Sequence, residues 1–498
     1  MTDQQRADTI PPFGRAHTPI LDNFCRQGVT FTQAYCPSPH CCPCRASFFT
    51  GLYPSEHGVW NNVEVGNALS RGPRVGTRLF SDDLQTAGYA LHFSGKWHVS
   101  SLETPEAHGW QIDSTVPAAS LAAMKNGLLP PRQPGDWWSY NGPPPQWEWD
   151  HYMALARRPQ KKRARGDILR TGYSPYTLYG HTDPDRSGCH SGGDAPIVDQ
   201  AIDVIANRKG QDPWVQFIGI HGPHDPYMVP GEYLKYYSRN DFCLPANFAD
   251  AMKDKPALYR RLRQRFDQLS RAEHREALHH YLAYCTYVDA LFGRVLKALE
   301  SAGDVANTMV VFTSDHGDYA GDHGLWTKGL PCFRGAYHIP AVIRWPAAIA
   351  RPHRSVNAFV STTDFAATFL DAAGIQPIQA LSGRSLLPFL KQSRPPAHWR
   401  DAMFTQSNGN ELYGIQRAVF TRDWKYVYNG FDADELYHLA VDPGETRNLA
   451  ARPEMQGRVQ AMCRRLWQFA CQHQDVAIND YIAVAHAPAG PAVAFRRA

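Results

Sequence analysis

The sequence predicts an α/β protein. A doubly wound, largely parallel sheet flanked by helices is followed by a smaller C-terminal α+β subdomain containing an antiparallel sheet. Three observations predict this. The 498 residues are 43% hydrophobic, enough to bury the core of one large domain and a smaller one. Short apolar runs alternate with amphipathic stretches to about residue 385, the pattern of strands joined by helical crossovers. Further on, short strand-like runs follow one another closely, as antiparallel strands do.

Taken in order, Thr18-Pro19 opens a helix through Phe24 that Gly28 closes, with Thr at the N-cap and Pro at the first helical position. Val29-Thr30-Phe31 is a short strand. Arg45 to Phe49 read as the first turns of a short helix ended by Gly51. Leu84 to Gly88 close another helix, and Tyr89 to Phe93 form a strand. Residues 105–191 are looser and read as an insertion rich in loops. Trp137, Trp138, Tyr140, Trp147 and Trp149 lie there, followed by Arg157, Arg158, Lys161, Lys162, Arg163 and Arg165. Aromatic faces suit sugars or aryl groups and the cations suit a polyanion; a solvated surface or subunit contact is the other reading. Ile197 to Ala206 is a helix and Trp214 to Ile220 a buried strand. Tyr281, Cys285, Val288, Phe292, Val295 and Leu299 recur at helical spacing and mark a long core helix. Thr308 to Thr313 and Ala341 to Pro346 are buried strands. Ala418 to Phe420 and Trp424 to Tyr428 are antiparallel strands, and a helix runs from Met455 to Gln472. The resulting division is a large domain over 1–385, a C-terminal subdomain over 386–480 and a tail over 481–498. The tail, rich in Ala, Pro and Gly, reads as an arm across a neighbouring subunit or as disordered, which is compatible with a homo-oligomer.

Composition excludes some classes. With 51 basic and 47 acidic residues the net charge is +4, and no basic domain predicts nucleic-acid binding. No apolar run approaches the ~18 residues of a membrane span. The first residues lack a charged-then-apolar leader. The expected compartment is cytoplasmic if this N-terminus is complete, and periplasmic or secreted if a leader is missing. Cys25, Cys189, Cys243, Cys285, Cys332, Cys463 and Cys471 are scattered and odd in number, which argues against a disulfide framework.

Four more cysteines cluster between Cys36 and Gly51. Cys36, Cys41, Cys42 and Cys44 could ligate zinc, but structural zinc sites draw spaced pairs from two knuckles and no second knuckle is present. Cys41-Cys42-Pro43-Cys44 could act as a redox dithiol, although the surrounding domain does not suit one. The helix N-terminus that this loop feeds favours an anion. Three strands also end in chemistry-bearing residues: Lys96 and His98 after the first, His221 and His224 after the second, Asp315 and His316 after the third. Ligands bind at that end of an open α/β sheet, and a carboxylate beside an imidazole suits a divalent metal.

Cys41-x-Pro43-x-Arg45 followed by Ala46-Ser47-x-x-Thr50-Gly51 resembles the signature of type I sulfatases, the formylglycine-dependent members of the alkaline phosphatase superfamily. Gly95-Lys96-Trp97-His98, Pro223-His224-x-Pro226, Asp315-His316, Lys328 within Trp326 to Leu330, and the segment Asp442 to Leu449 follow in the family's order. Cys44 stands where the family often has Ser. The resemblance implies that a formylglycine-generating enzyme oxidises Cys41 to an aldehyde, which hydrates to a gem-diol nucleophile. It implies one divalent cation held by Asp3, Cys41, Asp315 and His316, with Ca2+ the first expectation and Mn2+ or Mg2+ the alternatives. Arg45 steadies the diol, Lys96 and Lys328 clamp the sulfate, and His224, helped by Lys96, protonates the departing alcohol. His98 or Asp315 then removes a proton from the second hydroxyl, expelling sulfate and restoring the aldehyde. The implied substrate is a sulfated small molecule or saccharide. A phosphonate monoester or phosphodiester hydrolase with the same machinery is the first alternative, and an inactive or thiol-redox binding protein the second. Family members carry several apolar residues ahead of the first aspartate, and here only Met1 and Thr2 precede Asp3. The expectation is an incomplete central strand that leaves ladder groups unpaired and core surface exposed.

Overall fold

The computed structural model describes the chain except residues 66, 113–149, 151–152, 155–161, 171–174, 183–192, 209–211, 239–242, 393–395, 411, 477–478, 480, 482–486, 488 and 491–498. Trp137, Trp138, Tyr140, Trp147, Trp149, Arg157, Arg158, Lys161 and Cys189 lie outside the described residues.

Helix α1 (Pro19–Gln27) leads into β1 (Val29–Tyr35), and helix α2 (Cys41–Thr50) follows. The sequence reading started α2 at Arg45; the helix begins four residues earlier, at Cys41. Pro43 is the reason this is allowed, since in a first turn its missing N–H has no helical partner to lose. Gly51 ends the helix at φ +70 in the left-handed region, and its N–H donates to Ser47 O at 3.0 Å. Helix α3 (Phe80–Thr86), β2 (Ala90–Gly95) and the two-residue β3 (Gln111–Ile112) come next. Then follow α4 (Asp194–Asn207), β4 (Trp214–Gly219), the long α5 (Arg271–Ser301), β5 (Val310–Thr313), β6 (Ala341–Arg344), β7 (Arg354–Ser361) and α6 (Asp364–Ala372).

One block of the main sheet has the order β7-β1-β6-β5, and a second has β4-β2-β3. Within them β6 runs against its neighbours β1 and β5, and the other described pairings are parallel. Helices cover both faces. Leu21, Phe24, Val198, Val288 and Leu291 of α1, α4 and α5 pack with Phe312 and Val342. Phe48, Phe80, Leu84 and Phe365 of α2, α3 and α6 pack with Phe93, Phe217 and Ile343. Phe312 faces one layer and its register partner's neighbour Ile343 the other, as period-two alternation requires.

Met1 to Asp3 join the two blocks. Met1 N donates to Ile218 O at 2.7 Å and Ile220 N donates to Met1 O at 3.1 Å on the β4 side. Thr2 N donates to Thr313 O at 2.9 Å and Asp315 N to Thr2 O at 3.2 Å on the β5 side. Asp3 is therefore pinned from both sides, by the last rungs of a central ladder. A cavity of about 770 Å³ separates β4 from β5, lined by Val215, Phe217, Val311, Phe312 and Phe48 among others.

The C-terminal sheet is antiparallel, β8 (Ala402–Ser407), β9 (Gln416–Thr421), β10 (Trp424–Asn429) and β11 (Glu435–His438) in that order. Helix α7 (Gln456–Gln472) packs Val459, Met462, Leu466 and Trp467 on one face of it. Met403, Phe420, Val427 and Tyr437 on the other face join the core of the main sheet. Of the tail, Ala489 is described, and its carbonyl accepts from Trp467 Nε1 at 2.8 Å. Among the described residues no helix is long and apolar enough to cross a membrane.

Candidate active site

Four strand ends and one helix start meet above the sheet. Asp3 leaves the terminal ladder, Cys41 opens α2, Lys96 follows β2, His224 follows β4, and Asp315 and His316 follow β5. Gly95 makes the turn into Lys96 possible: at φ +95 it lies where a Cβ would sit 2.1 Å from Gly219 O.

Cys41 Sγ lies 3.1 Å from His316 Nε2 and 3.8 Å from Asp3 Oδ1. His316 Nε2 is 3.6 Å from Asp3 Oδ1 and 3.7 Å from Asp315 Oδ1. One donor atom from each of these four buried residues lies within 4.8 Å of all the others. His316 Nδ1 donates to Gly317 O at 2.9 Å, which fixes the proton on Nδ1 and leaves the Nε2 lone pair facing the cluster. Burial pushes the imidazole down to about 4, so it stays neutral at physiological pH.

The second oxygens of the carboxylates are held by cations. Arg45 Nε donates to Asp315 Oδ2 at 2.8 Å, its Nη1 to Lys96 O at 2.9 Å, and its Nη2 to Asp3 Oδ2 at 3.4 Å. Lys96 Nζ donates to Asp3 Oδ2 at 2.5 Å. Burial opposes the charge of Asp3, but Lys96, His224 and Arg45 outweigh it and hold the carboxyl well below the usual range. Burial likewise opposes the Lys96 charge and Asp3 outweighs it, so the ammonium is held above its ordinary value. Two carboxylate oxygens and one imidazole nitrogen thus converge with position 41, a donor set that fits a divalent cation.

A second group adjoins the first. Lys328 Nζ lies 2.5 Å from His224 Nε2 and donates to Gln4 Oε1 at 2.6 Å. Burial and Lys328 lower the His224 pKa, but Asp225, Asp3 and a hydrogen bond with Cys41 raise it further, and the net direction is upward. His98, at φ +56, sets its Nε2 3.7 Å from Glu64 Oε2. The structure therefore brings Asp3, Cys41, Arg45, Lys96, Asp315 and His316 into one hydrogen-bonded network, with His224 and Lys328 as its neighbours.

The other clustered cysteines point elsewhere. Cys44 Sγ donates to Asp315 O at 2.5 Å, Cys42 Sγ accepts from Val63 N at 3.4 Å, and Cys36 Sγ donates to Ala336 O at 3.7 Å. The group that could hold a metal among the described residues contains Cys41 alone of the four. Asp322 and His323, which follow Asp315 and His316 closely in the chain, pair with Arg6 and Asp250.

The sequence pattern that defines the sulfatase family matches residues 1–375. The chain belongs to the sulfatase family. A second pattern, the C-terminal region of N-sulphoglucosamine sulphohydrolase, matches residues 321–472 of this sulfatase. It is 28% identical over 457 residues to an uncharacterised sulfatase of Escherichia coli K12, YidJ, covering 90% of this chain and 82% of that one. It is 24% identical to an N-acetylglucosamine-6-O-sulfatase of Bacteroides thetaiotaomicron, covering 95% and 86% of the two chains. Its fold matches that of a phosphonate monoester hydrolase of Agrobacterium radiobacter with a TM-score of 0.71, 22% identity and 96% of each chain covered. Membership makes the chain a sulfuric ester hydrolase.

Several residues of this sulfatase site escaped the sequence reading. Gln4, at φ +67, bridges Lys328, Asp225 (2.9 Å) and Asp318 (2.5 Å) through its amide. Its place beside Asp3 was the available signal. Tyr176, from the short strand Tyr176–Thr177 of the insertion, donates to Asp225 Oδ2, and no motif marked it. Asp194, at the start of α4, accepts from His221 N at 2.7 Å, Gly222 N at 3.1 Å and Tyr284 Oη at 2.8 Å, fixing the loop that carries His224. Of the basic run, Arg163 pairs with Glu273 and Arg165 with Glu276.

Proposed function

We propose that this sulfatase cleaves sulfate monoesters of sugars at the site built around Cys41. The observation that carries the reading is the convergence of Asp3, Asp315 and His316 on Cys41 Sγ, with Lys96, Lys328 and His224 beside it. In a converted enzyme the oxygens of residue 41 would take the place of that sulfur. The hydrated aldehyde would supply a nucleophile at neutral pH and a route to release sulfate. The cation, held by Asp3, Asp315, His316 and residue 41, would act as a Lewis acid towards a sulfate oxygen and the nucleophile. Calcium is the first expectation, and the imidazole donor keeps manganese and magnesium as alternatives.

The remaining steps belong to side chains. Arg45 ties Asp3, Asp315 and the Lys96 carbonyl together and so keeps both carboxylates aimed at residue 41. Lys96 and Lys328 offer ammonium donors near the nucleophile, where they would neutralise the charge of a bound sulfate. His224 Nε2 delivers a proton to the leaving alkoxide. His98 or Asp315 accepts the proton that must leave residue 41 before sulfate can depart. The likeness to an N-acetylglucosamine-6-O-sulfatase, and the aromatic composition of 105–191, support a saccharide as the alcohol component.

The test is a substrate panel run on protein co-produced with a formylglycine-generating enzyme, in defined calcium, manganese or magnesium. Hexosamine sulfates and aryl sulfates should be turned over with kcat/KM above that for phenyl phosphonates. A large preference for the phosphonate would establish the alternative hydrolase instead, and a Cys41 left wholly unmodified in peptide mass spectra would defeat the mechanism.

A further inference from the structure

Beside Nδ1 of His224 stands a carboxylate to which the mechanism above gives no task. Asp225 Oδ1 lies 3.5 Å from His224 Nδ1, and the Asp225 main-chain oxygen lies 2.5 Å from the same nitrogen. That carboxylate is braced from two sides. Gln4 Nε2 donates to Oδ1 at 2.9 Å, and the Tyr176 hydroxyl donates to Oδ2. Gln4 is itself fixed, because its amide oxygen accepts from Lys328 and its φ is +67 at the end of the central ladder. We propose that Asp225 is a positioning residue for His224: its main-chain oxygen holds Nδ1 so that Nε2 faces the leaving oxygen, and its carboxylate keeps the ring in that orientation and balances the imidazolium charge while the proton waits there.

The inference rests on the sulfatase reading and on His224 as the acid, and it names the substrates that need the arrangement. In the step concerned, an oxygen of the residue 41 diol, as its alkoxide, bonds to sulfur while the S–O bond to the alcohol breaks and its electron pair stays on the leaving oxygen. That oxygen takes the Nε2 proton, and neutral imidazole remains with Nδ1–H still directed at Asp225. A nitrophenolate leaves without much help from a proton, whereas a sugar alkoxide does not. Asp225 should therefore matter little for activated aryl esters and much for sugar or alkyl esters. Tyr176 comes from the 105–191 insertion, so that segment is mechanically tied to the acid and to the choice of leaving group.

The experiment compares the converted wild type with Asp225→Asn on 4-nitrophenyl sulfate, phenyl sulfate and a hexosamine 6-sulfate. Expected is a kcat/KM loss below about 3-fold for the nitrophenyl ester and of about 100-fold for the sugar ester, the scale of general acid catalysis. His224→Ala should show the same leaving-group dependence, and the double variant should lose no more than His224→Ala alone. Tyr176→Phe, which keeps the carboxylate and removes one brace, should give a smaller split in the same order and covers the case of an unstable Asp225→Asn. Equal losses across all three esters, or additive losses in the double variant, would overturn the role of Asp225. A wild type inactive on every sulfate ester would overturn the sulfatase reading and this inference together.

Discussion

Lys328 Nζ and His224 Nε2 are 2.5 Å apart. An ammonium can only donate, so in this state His224 accepts at Nε2 and carries its proton on Nδ1, towards Asp225. Under the proposed mechanism, a sulfate ester entering between the two would take the lysine donors and free Nε2 for a proton. Lys328→Ala should therefore lower kcat by about 10²-fold or more, the usual cost of one preorganised donor. Steady-state kinetics with an aryl sulfate measures it, and a loss under about 3-fold would take Lys328 out of the transition state.

The cation pocket makes a prediction that does not depend on turnover. Asp3 and Asp315 are both fully buried beside two cations, Arg45 and Lys96, so the pocket alone is close to neutral and a dication leaves it positive for an anionic ester. Exhaustive chelation should abolish activity and lower thermal stability. Adding calcium, manganese or magnesium at about 100 times its Kd should restore about 2.7 kcal/mol of stability. His316→Ala should lose that metal-dependent gain. A chelated enzyme with full activity and no ion-dependent stability shift would remove the metal from the account.

Most of this site was readable because it sits at strand ends. Lys96, His224 and Asp315 each follow an apolar run that can only be a buried strand, and the chemistry of an open α/β sheet gathers at those ends. Position 41 was readable from its long local motif. What the sequence could not show is side-chain reach across the chain. Tyr176 meets Asp225, and Gln4 meets Lys328 and Asp318, through tertiary contacts with no local pattern behind them. The start of α2 was misplaced for a physical reason: a proline normally reads as a helix boundary, and Pro43 is instead inside a first turn. The support of Asp3 was read as deficient, and the ladder bonds of Met1 and Thr2 show how three residues suffice to fix it while the rest of the slot stays open.

Cys41 and Cys42 are adjacent and both buried, yet their variants should separate cleanly. Cys41→Ala removes the group that the site surrounds, and turnover should fall to background with the unfolding transition shifted by about 1 kcal/mol or less. Cys42 lies in the core and accepts from Val63 N, so Cys42→Ala should cost about 1–3 kcal/mol of stability. In the fraction that folds and matures, kcat should be unchanged. Denaturant melts paired with kinetics on the same preparations decide the matter, and near-normal turnover by Cys41→Ala would refute its assignment.

Acid should destabilise the fold through buried neutral histidines. His57 Nδ1 accepts from Val59 N at 3.1 Å, and its Nε2 contacts Ser47 Oγ at 2.9 Å, so it must be neutral with the proton on Nε2. Burial pushes its pKa down to about 3. An unfolded histidine binds its proton near pH 6.5, so between about 6.5 and 3 the unfolded state holds the extra proton and stability falls as pH falls. Well inside that window the loss approaches about 1.4 kcal/mol per pH unit for this residue. His57→Asn, whose carbonyl can replace Nδ1 as acceptor, should be less stable at pH 7 and show a slope shallower by that amount between pH 5.5 and 4.5. Parallel slopes for the two proteins would mean that His57 is not held neutral.

The open slot beside Met1 should respond to being filled. The Met1 ammonium is buried, and burial followed by Arg45 lowers its pKa from 8.0 to about 5. Between those values the unfolded state binds the additional proton, so stability rises with pH through this window and at pH 7 about 1.4 kcal/mol is forfeited. Joining a peptide to Met1 N replaces the ammonium by an amide N–H that can still donate to Ile218 O. The facing edges, Trp214 to Ile218 and Met309 to Thr313, line the cavity over about five residues, or about 17 Å of strand. Five or six β-branched apolar residues added ahead of Met1 should enter the gap in parallel register, pair with both edges and bury against Phe48, Phe217 and Phe312. A Gly-Ser extension of equal length removes only the ammonium. The apolar extension should therefore exceed the Gly-Ser one in unfolding free energy, and both should lose the part of the pH dependence between pH 5 and 8 that the ammonium contributes. Since the same ladder ends in Asp3, the apolar extension should also tighten metal binding, read as a larger ion-dependent stability shift. Equal stability of the two extended proteins would show that the cavity does not accept a strand.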